Sequence, residues 1–389
     1  MTIMQKLILL LSIGLLFVEA RPFSCRSEAV APEPTSTTLV WNVAVKYGHI
    51  TQASLQMAVD EARAHFKTSP NDTIIIQINA GRYAIGGTGG AGIALGNSLQ
   101  TGPRGQLTIQ GAGMDKTTLV FTDMASSEFM GSAVRNFTLR DLTCTRPRMT
   151  VSQGIVARVE PGQVWLDIQP GFPTPQRIVA PQGNPGKYLR RYSHNPNNPL
   201  LDMTVAQVDW TIATRVTANR WLMQLKYPRI TPFLVGDLIG IKSMAAGNAV
   251  WFGQGGNRIQ FVRVRWMRST RVLVRGGPTN VLISGCRIDK DPPLQGQSPC
   301  LASPHGGPQL NQPNDALARN MFVENCYFDS AGDDLVAFFH VDGGHVTNSL
   351  LRNGFARGLL VTKYAQNICV DSKTKVVNCL IQGVVSTCP

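Results

Sequence analysis

Through most of the chain, apolar and polar residues alternate over four to eight positions, a glycine- or asparagine-bearing turn interrupts, and the alternation begins again. Residues 136–142 read Asn-Phe-Thr-Leu-Arg-Asp-Leu, and a similar opening returns at Asn257, Asn280, Asn320, His345 and Asn367. The intervals are 23 residues from Asn257 to Asn280, 25 from Asn320 to His345 and 22 from His345 to Asn367. A second apolar strand follows in three of these repeats, at 270–274, 333–337 and 357–361. Period-2 alternation predicts strands, and a repeat in the low twenties without helices predicts a solenoid whose coils bury a core only by stacking. Only 52–67 is helical in pattern, with Leu55, Ala58, Val59 and Ala62 on one face. The expected fold is therefore all-β: a right-handed parallel β-helix with an N-terminal capping helix.

Two stretches break the period. The interval from Asn280 to Asn320 is 40 residues, which implies an extra loop of about 17 residues within 289–314. The larger break, 149–243, carries strand patterns at 154–159, 164–168, 205–216 and 221–227 around a Pro/Asn-rich loop, 170–199. It reads as an inserted β subdomain. The chain then divides into a leader (1–20), a linker (21–38), the cap and first coils (39–148), the insertion (149–243) and the C-terminal coils (244–389).

The leader changes the chemical picture. Lys6, an apolar run over 7–18 and a small residue at Ala20 have the form of a cleaved export signal, and the run is too short for a bilayer, which needs ~20 residues. Eight cysteines, all beyond residue 20, then suggest disulfides; no Cys-x-x-Cys or His-Glu-x-x-His supports a metal. No cofactor is expected either. Asn71 and Asn136 stand in glycosylation sequons. The net charge of +13 attracts polyanions, and export favours an acidic polysaccharide over nucleic acid.

Candidate chemistry gathers near the second strands. Aligned by their apolar residues, Thr270, Asp333 and Arg357 fall in one column and Arg271, Asp334 and Gly358 in the next, with the irregular loop carrying Ser303, His305, Asn311 and Asp315 beside them. Paired carboxylates are what glycoside hydrolysis requires, one protonated and one ionised. The competing reading is structural, with Asp333 bound to Arg357 and Asp334 ending a turn. Arg357, Asn311 and His340 are candidate substrate contacts. Arg263 and Arg265, on one strand face among Arg258, Arg268, Arg271 and Arg275, are either a solvated outer face or a cationic track for acidic glycans. Gly87-Thr-Gly-Gly-Ala-Gly92 matches a dinucleotide fingerprint only in letters, because no βαβ unit surrounds it.

Residues 107–121, Leu-Thr-Ile-Gln-Gly-Ala-Gly-Met-Asp-Lys-Thr-Thr-Leu-Val-Phe, resemble the entry coils of the pectate-lyase-like β-helix superfamily. Three further segments resemble the α-1,3-galactosidase family of β-helix glycoside hydrolases. They run from Ser152-Gln-Gly-Ile-Val to Gln169-Pro-Gly-Phe-Pro173, over Gly236-Asp-Leu-Ile-Gly-Ile, and from Phe322-Val-Glu-Asn-Cys-Tyr-Phe to Gly332-Asp-Asp. The resemblance implies that Asp333 and Asp334 are catalytic. It also implies a third aspartate one coil earlier, in an Asp-Gly-aromatic-His setting. The corresponding stretch, Ser303-Pro-His-Gly-Gly-Pro-Gln-Leu-Asn-Gln-Pro313, lacks it, leaving His305 and Asp315 as the nearest substitutes. The expected function is that of a secreted glycoside hydrolase-like protein acting on glycan chains. The alternatives are a non-catalytic glycan-binding or matrix protein on the same scaffold, or a polysaccharide lyase on anionic glycans. The expected partner is a glycan or polysaccharide, anionic in the last case, with no nucleic acid and no membrane span.

Overall fold

The structure, a computed structural model, describes residues 36–388 apart from 88–89, 98–100, 103, 179–185, 194, 196, 228–230 and 244–245. The expected leader and most of the linker, with Cys25, lie outside the described residues, as does part of the 87–92 glycine cluster.

The chain winds as a parallel β-helix with three strands to each coil, one more than the two that the repeat displayed. The first wall runs from Thr38–Asn42 through Thr73–Gln77 and Gln106–Gln110 to Thr279–Ser284, Ala318–Glu324, Val341–Thr347 and Gln366–Val370, every neighbour parallel. The second wall stacks Arg287–Ile288, Tyr327–Asp329, Leu350–Arg352 and Lys375–Val377. The third stacks Val272–Val274, Pro308–Leu310, Val336–Phe338 and Leu359–Val361. In the C-terminal coils the second-wall strands are only two or three residues long, too short for alternation to reveal them. Two longer strands, Ser127–Thr145 and Val250–Trp266, bend through all three walls. Inward residues Phe252, Phe261 and Trp266 of one coil pack ring to ring, Phe137 of the preceding coil packs on Phe252, and all four are buried. Burying each is worth ~1.5–3 kcal/mol, which a single coil could not obtain alone.

The recurring asparagines mark corners. Asn136, Arg258, Asn280, Asn320 and Asn367 all take positive φ, between 48° and 59°. Asparagine tolerates this left-handed conformation better than most residues. Each amide also reaches the previous coil: Asn280 Nδ2 donates to Asn257 Oδ1 at 2.8 Å and Asn320 Nδ2 to Asn280 Oδ1 at 3.0 Å. Two of the expected repeat openers are displaced. Arg258, not Asn257, stands level with Asn280, and Gly343 (φ 78°), not His345, continues the column. Both Asn136 amide hydrogens are taken, by Thr101 Oγ1 and the Gly102 carbonyl, so this sequon sits in a structural corner.

Helix α2 (Gln52–His65) closes one end and stops two residues short of the expected 52–67. Thr51 and Ser54 form a capping box, and Leu55, Ala58, Val59 and Ala62 join the coil core. A five-residue helix, α1 (Val43–Tyr47), precedes it. At the other end Cys369 and Cys388 form a disulfide, while Cys144, Cys286, Cys300, Cys326 and Cys379 are free thiols.

Strands between 152 and 242 leave the helix and form a closed antiparallel barrel, in the order 188–192, 208–215, 220–225, 163–168, 152–160, 238–242. Tyr188–Tyr192 falls inside the stretch expected to be loop, 170–199; its Tyr-Leu-Arg-Arg-Tyr sequence hides the strand because alternation is lost. The barrel core continues into Cys300, Leu301 and Phe355 of the coils. Gln153 fastens the junction, accepting from the Cys300 N–H at 2.7 Å and donating to the Ser298 carbonyl at 3.1 Å.

Candidate functional site

The residues just before each third-wall strand form a corner facing the barrel. Successive coils place Arg271, His305, the Asp333-Asp334 pair and Arg357 there. Val336 pairs with Leu359, so Asp334, not Asp333, stands level with Arg357. The sequence alignment slipped by one because Leu335 and Val336 are both apolar and either can begin the strand. Glycine is required where the coils touch: a Cβ on Gly306 would lie 2.1 Å from the Asp334 carbonyl oxygen.

The two aspartates have different surroundings. The Asp334 side chain is 3% exposed, with Arg357 donating from Nε to Oδ1 at 2.5 Å and from Nη2 to Oδ2 at 3.1 Å. Asp333 keeps a quarter of its side chain open and lies 3.1 Å from His305 Nε2. Arg271 Nη1 approaches the same nitrogen at 3.4 Å. Neither Arg271 Nε nor His305 Nδ1 has a hydrogen-bond partner among the described residues.

The barrel supplies Lys242, last residue of the strand Leu238–Lys242. Its Nζ donates to the Gly332 carbonyl and stands 4.9 Å over the Tyr188 ring and 5.0 Å over Phe355. It is 3% exposed. Arg190, from the neighbouring barrel strand, donates to the Phe355 carbonyl.

These contacts separate the proton affinities. Burial would raise the Asp333 carboxyl, but the charges of Lys242 and Arg357 and the Asp334 backbone N–H favour the ionised form and hold the group below the usual range. Burial pushes Asp334 up, to about 6, with the Asp333 charge adding to the rise and the two-point grip of Arg357 resisting it. Burial drives His305 down to about 3, helped by Lys242 and Arg271 and opposed by Asp333. Although His305 lies at ion-pair distance from Asp333, its burial and the two cations facing the ring keep the imidazole neutral. Burial lowers Lys242 as well. The corner therefore presents one ionised, partly open carboxylate, one carboxyl fully engaged by an arginine, and a neutral imidazole. Asp333 can act as a base or stabilise developing positive charge, whereas the neutral His305 imidazole is too weak an acid to protonate a leaving group at neutral pH.

The remaining expected site residues lie elsewhere. Asp315 is held by Arg275 (2.7 and 3.1 Å) and the Gly276 N–H. Asn311 is buried, accepting from Gly276 and Gly277 and donating to the Ala316 and His340 carbonyls. His340 Nδ1 sits 2.7 Å from the Asp315 carbonyl. This knot follows the third-wall strands, whereas His305 and Asp333 precede them, so the expected shared patch is split across the wall. Arg263 is bound two-fold by Asp141 and Arg265 by Asp289, at a different corner. Lys242 and Tyr188 went unrecognised in the sequence, and Arg271 was grouped with the other arginines of 258–275 rather than with the aspartate pair. The available signal for Lys242 was a lysine closing an otherwise apolar strand. Surface hollows of about 190, 330 and 300 Å³ are lined by other residues, among them Gln153, Arg104 and Arg82 respectively.

No family model matches the sequence, and no curated protein matches it. Among solved structures the chain is similar to a Parabacteroides merdae protein named as a candidate glycosyl hydrolase (10% identity, 88% of this chain and 97% of that one, TM-score 0.32). It is also similar to the Agl-KA catalytic domain (12%, 90% and 49%, TM-score 0.34) and to a pectin methylesterase in complex with hexasaccharide VII (10%, 82% and 75%, TM-score 0.30). At these scores the likeness carries no argument. The parallel β-helix stands on its own strand pairing.

Proposed function

We propose that this chain is an exported, glycoside hydrolase-like β-helix protein acting on glycan chains, with Asp333 as its reactive carboxylate. One observation carries the reading: of the two adjacent aspartates, Asp333 alone is open to a ligand, and surrounding cations keep it ionised. An ionised carboxylate beside a scissile glycosidic bond activates water or stabilises an oxocarbenium-like centre. The sequence resemblance to β-helix glycoside hydrolases supports the same assignment.

A second reading, glycan binding without turnover, is favoured by a separate observation. Both Asp334 oxygens are engaged by Arg357, and the position expected to hold a third aspartate holds the neutral His305. The corner then lacks a free proton donor. A screen of neutral and acidic oligosaccharides, with products weighed by mass spectrometry in ¹⁸O water, separates the two. Incorporation of ¹⁸O into a shortened product supports hydrolysis. Binding with no product supports the second reading.

A further inference from the structure

Charge is unevenly compensated around Asp333. Most arginines on the coils have a carboxylate of their own: Arg263 has Asp141, Arg265 has Asp289, Arg268 has Asp291, Arg275 has Asp315 and Arg357 has Asp334. Among the described residues, no carboxylate lies within ion-pair distance of Arg271 or Lys242. Both face the corner, Arg271 against His305 and Lys242 against the Gly332 carbonyl, and both are stabilised by the Asp333 charge. With Asp334 and Arg357 cancelling, one carboxylate answers two cations. An excess cation out of water is costly unless an anion joins it. A second observation points the same way: His305 is nine-tenths buried with Nδ1 unpartnered, and Arg271 Nε is unpartnered beside it.

We propose that Arg271 and Lys242 form a seat for an acidic group of the glycan, a carboxylate or sulfate, so that the ligand is an anionic polysaccharide. The inference rests on the reading of the Asp333 corner as a glycan site, but on its binding rather than on turnover. The guanidinium presents a planar donor edge suited to such an anion, and the lysine adds a compact charge. Of the arginines expected to form a cationic track, Arg263, Arg265 and Arg268 are already paired with carboxylates and take no part.

The test is binding calorimetry with three oligosaccharides of one length: oligogalacturonate, its fully methyl-esterified form, and a sulfated neutral oligosaccharide. The parent protein is expected to bind one or both acidic probes and to bind the ester at least ~10-fold more weakly, the usual scale for losing a charged hydrogen bond. Comparison of oligogalacturonate with the sulfated probe identifies the anion. Arg271→Gln is expected to lose the preference for acid, while Arg263→Gln keeps it. Because Lys242→Met alters a buried residue, its melting temperature is measured alongside, and Arg271→Gln, partly exposed, decides if the lysine variant does not fold. Equal binding of acid and ester, unchanged affinity in Arg271→Gln, or no binding of either acidic probe would overturn the proposal. Acidic binding that needs Arg271 but yields no product sustains it while sinking the hydrolase reading. Hydrolysis of neutral chains untouched by Arg271→Gln does the reverse.

Discussion

The corner between the first and second walls and the corner facing the barrel both carry arginine, yet they use it differently. At the former, Arg263 and Arg265 lie against Asp141 and Asp289 of neighbouring coils, and Arg268 further along is bound to Asp291. These pairs stitch coil to coil at a solvated edge. At the latter, Arg357 and Asp334 make a similar stitch, but Arg271, Lys242 and Asp333 are left partly unanswered next to an unpartnered imidazole nitrogen. A stack of coils is stable when each charge meets its opposite in the next coil. A corner that departs from that rule, and is sheltered by an inserted barrel, is where a ligand completes the balance.

The contrast can be broken or sharpened by substitution. The largest stability effect is expected at the buried stitch: Asp334→Asn strands Arg357 and should cost ~3–5 kcal/mol, the scale for breaking a buried pair by removing one partner. Urea unfolding measures it, and an unchanged midpoint would place Asp334 among the open groups instead.

Next is acid sensitivity through His305. Its folded-state proton affinity lies far below the ordinary histidine value, so between about 6.5 and 3 the unfolded chain takes a proton that the folded chain refuses. Its contribution is fully present above 6.5 and lost as pH falls toward 3. His305→Phe should flatten the decline of stability over that window; an equally steep decline would mean that the imidazole is charged in the fold.

The smallest effect is expected at the outer corner. Arg263→Ser and Arg265→Ser together remove partly exposed pairs worth ~0–1 kcal/mol each. They should shift heparin elution less than Arg271→Gln alone. Elution at much lower salt for the double variant, with no shift for Arg271→Gln, would return the polyanion surface to the outer corner.

How much was legible in the sequence follows from these particulars. The coil repeat, the capping helix and the insertion show themselves because asparagine corners and alternating strands report local backbone geometry. The second wall was hidden, since strands such as Arg287–Ile288 are too short to alternate. The aspartates were found, but their division of roles was not: one residue of register decides which of them meets Arg357, and Leu335-Val336 leaves that register open. Lys242 comes from the barrel, 91 residues before Asp333 in the chain, and only folding brings them together. Asp315, Asn311 and His340 carried plausible chemistry, but the three-residue strands of the third wall separate them from it.

The account centres on Asp333 as the group that acts. The most direct measurement is turnover, by the parent and by Asp333→Asn, of the oligosaccharide that the screen identifies, with melting temperature recorded for both. The predicted result is a loss of ~100- to 10,000-fold, the scale of general acid–base assistance, with melting unchanged. Turnover within about two-fold of the parent in a folded Asp333→Asn protein would contradict it.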